Sequence, residues 1–144
     1  PFPISYFLPV SYRVLIPHKN FPSISYLCTN LQTLRMTKHF IEDEKIEWEQ
    51  IDEGVQRKIM AYDPSLMIVK IKFEEGGIGP LHQHPHVQIT HVQSGKFEVS
   101  IDGKKQVLKG GDAFLVTSNL VHGVLCLEAG ILIDTFSPMR EDFL

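Results

Sequence analysis

Cysteine is scarce in this chain, with two among 144 residues. Cys28 and Cys126 lie far apart and neither has a CxxC partner, so a disulfide framework is not expected and a reducing, cytoplasmic setting is the simpler reading. No stretch comes near the roughly eighteen consecutive apolar residues of a membrane span, which removes the membrane as a partner. There is no positive excess either. Lys and Arg number 14 against 17 Asp and Glu, for a formal net charge of -3, so no general affinity for nucleic acid follows. Acidic residues are wholly missing from residues 1–41, which hold Arg13, Lys19, Arg35 and Lys38; all seventeen begin at Glu42. The length suits one domain with a sizeable core and not two.

The charge break divides the chain into an extension, 1–41, and a single domain, 42–144. The extension opens "PFPISYFLPVSYRVLIPHKN", rich in Pro, Ser and aromatics. Three readings stay open for it: an acid-poor leader, a segment that docks apolar residues on the domain, or sequence upstream of a start at Met36, where "MTKHFIEDEKIEWEQ" reads as an ordinary beginning. A secretory signal fits poorly, because Pro9, Arg13 and Pro17 interrupt each apolar run.

From Ile59 onward short strands alternate with turn signals. In Leu66–Phe73, Met67, Val69, Ile71 and Phe73 share one face and Lys70 and Lys72 the other. "EEGGIGP" breaks that strand. Val87–Gln93 forms the next, ended by Ser94-Gly95, and Lys96–Ile101 a third. Asp102-Gly103 is a two-residue hairpin turn from which "KKQVL" returns. "KGGD" turns again, and "AFLVT", "HGVLCLE" and "GILIDTF" follow as further strands. Helix or irregular structure is expected only near Glu42–Glu53. Short strands spaced about 8–12 residues apart predict an all-β sandwich or small barrel, with Val92, Phe97 and Val99 as core.

"HQHPHVQ", His82 to Gln88, carries the chemistry. On an extended chain residues two apart point to one face, so His82 and His84 can meet one ion. Gln88 returns to that face at an even spacing. His86 would share it, but Pro85 can bend the chain before it. His91, at odd spacing from Gln88, faces outward. His18 and His39 read as ordinary surface or packed residues. His122 is distant in sequence, at the start of a strand, and a closed barrel can bring it opposite the others. This pattern in an all-β chain points to a divalent transition metal, with Ni, Zn, Fe and Mn left open.

The stretch Gly76-x5-His82-x-His84-x3-Gln88-x6-Gly95 resembles the first motif of the cupins, in which the position of Gln88 is usually Glu. Gly111-x5-Thr117-x-Asn119-x2-His122 resembles the second, with Thr117 where Pro is usual and Asn119 where Gly is usual. The resemblance covers roughly residues 55–140. It implies a double-stranded β-helix, a jelly-roll-like small barrel, with His82, His84, Gln88 and His122 as metal ligands, and a homodimer as the default assembly. A neutral amide in place of a carboxylate leaves the full charge on the ion. That tilts the site toward polarising an oxygen and away from activating O2.

The tail "DTFSPMRED" adds a second pattern. Asp134 and Phe136 are two apart and share a face, with Arg140 beyond Pro138; taken alone this reads as a strand end with a solvated Arg. Together with Gln88, however, it is similar to the KdgF-type cupins of pectin and alginate breakdown. That family's D-x-F-x3-R pattern matches Asp134, Phe136 and Arg140, while the extension has no counterpart there. The resemblance implies a non-redox isomerase that ketonises 4,5-unsaturated uronates to linear 4-deoxy-5-keto-uronates. Arg140 would pair with the substrate carboxylate, Asp134 would act as general acid/base, and Phe136 would wall the cavity. The alternatives are a non-catalytic, metal-containing sugar-binding cupin and, disfavoured by Gln88, a small cupin dioxygenase.

Overall fold

The computed structural model of the chain describes residues 38–144. The expectations for the extension, including the start at Met36, fall largely on residues outside that range. Among the described residues, eight strands and two short 3-10 turns make up the structure. The strands are β1 (Glu49–Asp52), β2 (Val55–Asp63), β3 (Leu66–Phe73), β4 (Ile78–His82), β5 (Val87–Ile101), β6 (Lys104–Lys109), β7 (Ala113–Val116) and β8 (His122–Ser137). Every pairing is antiparallel.

The architecture is organised by β5 and β8, which pair along their whole length from Val87↔Ser137 to Ile101↔His122. At one end this ribbon is flanked by β3 and β7, at the other by β4 and β6. Beyond β3 the sheet continues through β2 to β1. Two long strands shared by both halves of a barrel are the double-stranded β-helix expected from the sequence.

Two corrections follow. Val87–Gln93 and Lys96–Ile101 are one strand, and so are "HGVLCLE" and "GILIDTF". The register slips around Ser94, where Gly95 adopts φ 82°. A Cβ on Gly95 would lie 2.6 Å from the Glu128 carbonyl, and one on Gly130 2.2 Å from the Ser94 carbonyl. The two backbones cross too closely there for any side chain, so both glycines mark a bulge inside paired strands and not strand ends. The second correction is β4, which the sequence reading treated as part of a break. It pairs only with β8, and such an edge strand tolerates Gly79 and Pro80. The acidic segment also holds β1, after a 3-10 turn at Asp43–Lys45.

The alternation read in β3 is the observed one, with Met67, Val69 and Phe73 buried. Val92 and Phe97 are fully buried and Val99 nearly so. Phe97 meets Phe73 edge to face at 5.5 Å, tying the two halves of the barrel together. A second apolar cluster, Met67, Val69, Phe136 and Met139, underlies the far end of the ribbon. Asp102 and Gly103 both take positive φ, 50° and 75°, as the expected hairpin turn requires.

Candidate metal centre and cavity

Register decides which side chains meet. On β8, Asp134 and Phe136 face inward, directly opposite Thr90 and Gln88 of β5. On the other side of β8 they pair with Val69 and Met67. His122, the first residue of β8, stands opposite His82, the last residue of β4. His84 lies in the loop between β4 and β5. The loop before His122 is held by Asn119, whose φ of 64° gives the left-handed turn that a Gly would give, and whose N–H donates to the His84 carbonyl at 2.8 Å. The departure from Gly at this position therefore costs the loop little.

Each of the three imidazoles is oriented by a backbone carbonyl. Nδ1 contacts Pro80 O at 2.8 Å in His82, His86 O at 3.1 Å in His84 and Leu120 O at 2.9 Å in His122. A carbonyl oxygen only accepts, so each Nδ1 carries the hydrogen and each Nε2 of a neutral ring presents a lone pair. The His82 and His122 rings lie 4.3 Å apart and the His84 and His122 rings 4.9 Å apart. One nitrogen from each of the three falls within 4.8 Å of the others. Burial pushes the His122 imidazolium down to about 4 and lowers His84 as well. Both rings are therefore neutral near pH 7, the form that binds metals.

The donor set fits a cation. His122 Nε2 is buried with no hydrogen-bond partner among the described residues. His84 Nε2 lies 3.0 Å from Gln88 Oε1. With Nδ1 protonated, these two atoms are both acceptors, and their approach is relieved by a positive charge between or beside them. The three His can thus hold a metal ion. His86 is not one of the three clustered imidazoles, although its ring lies 5.5 Å from that of His84, and its carbonyl accepts from His84 Nδ1.

A cavity of about 320 Å³ opens beside this cluster, lined by His82, Gln88, His122, Asp134, Phe136 and Arg140 among others. Asp134 is buried, and the loss of solvent pushes its carboxyl up to about 6, against the pull of Thr90, Gln88 and Arg140 toward the charged form. Arg140 is not the solvated side chain that its position in the tail suggests. Its side chain is 12 % exposed and its guanidinium lies over Phe136 at 5.5 Å and Phe143 at 4.3 Å. Its Nε and one terminal nitrogen donate to both oxygens of Asp142, at 2.9 and 2.7 Å.

All seven residues singled out in the sequence therefore converge on one region, and six of them line the cavity. Three others went unnoticed. Thr90 is buried between Gln88 and Asp134, and its even spacing from Gln88 was the available signal. Phe143 and Asp142 come from a 3-10 turn at Glu141–Phe143 that no periodicity announces. Outside the site, His91 is exposed, as its spacing predicts.

The cupin-domain family model matches residues 69–133. The chain is 49 % identical over 111 residues to the pectin degradation protein KdgF of Dickeya dadantii, covering 76 % of this chain and all of that protein. The solved structure of KdgF from Halomonas sp. is 43 % identical with a TM-score of 0.73, over 75 % of this chain and 100 % of that one. An RmlC-like cupin from Shewanella frigidimarina is 44 % identical with the same TM-score, over 75 % and 97 %. With the strand order, the motif spacings and these likenesses in agreement, the chain belongs to the cupins, among the small cupins of the KdgF type.

Proposed function

We propose that this protein is an isomerase that ketonises 4,5-unsaturated uronates to linear 4-deoxy-5-keto-uronates. One observation carries the reading: a buried carboxyl with its pKa raised to about 6, Asp134, shares a cavity with a guanidinium, Arg140, and the imidazoles of His82 and His122. A proton carrier works best when its pKa lies near the working pH, and a guanidinium fork matches a uronate carboxylate. A divalent transition metal held by His82, His84, Gln88 and His122 supplies Lewis acidity toward developing negative charge on oxygen. The reaction needs no co-reactant. The C1 hydroxyl loses its proton as C1 becomes a carbonyl, the bond from C1 to the ring oxygen breaks, and the C5 enolate so released becomes a ketone as C4 takes a proton. Arg140 holds the carboxylate, Asp134 takes up and returns the proton, and Phe136 and Phe143 keep water from that end of the cavity.

The similarity to two KdgF proteins supports a sugar-derived substrate. The proposed setting is the cytoplasm, in keeping with the buried free thiol of Cys126; no helix among the described residues is long and apolar enough to cross a membrane. The proposed assembly is a homodimer. Its support is a row of exposed apolar residues on the outer sheet face, where Ile68 and Ile89 flank Thr135 and Leu115 lies beyond Ile89.

The test follows the ultraviolet absorbance of an unsaturated uronate. The wild type speeds its decay. Asp134→Asn lowers kcat by about 10²–10⁴ with KM nearly unchanged. Binding of uronates by the wild type without any faster decay would instead make the protein a sugar-binding cupin.

A further inference from the structure

Two side chains, Gln88 and Thr90, join the metal cluster to the proposed proton carrier. Gln88 contacts His84 through Oε1 at 3.0 Å and Thr90 Oγ1 through Nε2 at 2.9 Å. Thr90 Oγ1 in turn lies 2.6 Å from Asp134 Oδ1. Gln88 and Thr90 are two apart on β5, and Thr90 stands opposite Asp134 on β8, so the strand register alone brings them together. Thr90 is fully buried, and Gln88 and Asp134 nearly so. Water cannot readily replace any of these contacts.

We propose that Thr90 is a positioning residue whose single hydroxyl fixes both the direction of the Gln88 amide and the place of the Asp134 carboxylate. The inference rests on the proposed roles of Gln88 and Asp134. The number of hydrogens available decides the arrangement. A carboxylate only accepts, so Thr90 must donate its one hydrogen to Asp134. Its oxygen is then left as an acceptor, and only the NH2 of Gln88 can donate to it. The amide oxygen must therefore point the other way, toward the imidazoles, where a metal ligand is needed. The Gln88 NH2 also acts on the Asp134 carboxylate itself, so without the hydroxyl only that one interaction opposes the flipped orientation, which turns an NH2 toward the ion.

The same count accounts for the glutamine. A glutamate at position 88 has no hydrogen to give. Thr90 would then face two carboxylates with one hydrogen, in a buried space where a like-charge pair and an unpaired acceptor are both costly. Glutamine donates at one end and accepts at the other, so it can join a metal to an acid through one hydroxyl.

The experiment compares wild type, Thr90→Val and Thr90→Ser, with Zn2+ affinity measured by competition with a coloured chelator, alongside kcat and KM. Valine keeps the shape and removes the hydroxyl. Loss of a group that orients a metal ligand costs 10–100-fold in affinity, so Thr90→Val should weaken Zn2+ binding by about that factor and Thr90→Ser should recover most of it. In the kinetic arm Thr90→Val lowers kcat at nearly constant KM, and Ser again restores it. Thr90→Ala takes the place of Val if that variant does not fold. Zn2+ affinity equal to wild type in the variant without a hydroxyl overturns the proposal. So does an equal loss in Val and Ser, which would reduce Thr90 to packing. If the wild type does not ketonise uronates, the functional reading falls, but the Zn2+ comparison still decides the role of Thr90.

Discussion

Asp142 holds the guanidinium fork that a substrate carboxylate would need, so removing it should tighten substrate binding. The bond pair is bidentate, at 2.9 and 2.7 Å. Arg140 beside it holds the Asp142 carboxyl at about 2, well below the ordinary 3.8. Taken at face value that difference is on the order of 2.5 kcal/mol. The Asp142 side chain is 58 % exposed, however, and solvent screening reduces the bridge to about 1 kcal/mol. A contact of that size leaves the fork free in roughly one molecule in six, and the apparent affinity for a carboxylate falls by the same factor. Asp142→Ala should therefore lower KM about sixfold with kcat unchanged, read from initial rates of uronate decay at neutral pH. Arg140→Ala should raise KM, and adding Asp142→Ala to it should then change nothing, because the two residues act on one fork. A KM for Asp142→Ala equal to or above the wild-type value refutes the reasoning, and Asp142 would then orient Arg140 instead of competing for it.

Two further predictions concern the metal cluster and the buried acid. His122→Ala removes a ligand held in place by its bond to Leu120 O, so metal affinity should fall by about 100-fold or more, checked by metal analysis of the purified variant; full occupancy would end the ligand assignment. In metal-free protein, Asp134 is neutral in the folded state below about 6 but neutral in the unfolded chain only below 3.8. Its burial is thus harmless below the lower value, and stability is lost as pH rises through about 6. Asp134→Asn should accordingly gain on wild type by up to about 3 kcal/mol between pH 4 and pH 7 in chemical unfolding. A difference between the two proteins that does not change with pH would contradict the raised pKa. His122 contributes in the opposite direction in both proteins, with stability lost as pH falls from 6.5 through about 4, and so cancels from the comparison.

Local rules reached much of the fold because barrel strands bury one face. Met67, Val69 and Phe73 could be read as core from alternation alone, and the Asp102-Gly103 turn from its residue types. The same rules failed at Ser94-Gly95 and around Gly130. A glycine looks identical in sequence whether it ends a strand or lets two paired backbones cross. They failed at β4 because Gly79 and Pro80 are breakers except on an edge, and being an edge is a property of the sheet. They missed Phe143 and Asp142, whose position depends on a tail folding back over the cavity.

The sequence by itself determined which atoms are available: imidazoles at even spacing with an amide on the same face, and Asp134 and Phe136 two apart. Those are properties of an extended chain and need no partner strand. Tertiary structure decided what the atoms become. The pairing of β4 with β8 sets His122 against His82, and the pairing of β5 with β8 sets Thr90 against Asp134. Burial within that pairing raises the carboxyl of Asp134 and lowers the imidazolium of His122, because the cost of charge depends on the solvent that the rest of the fold excludes.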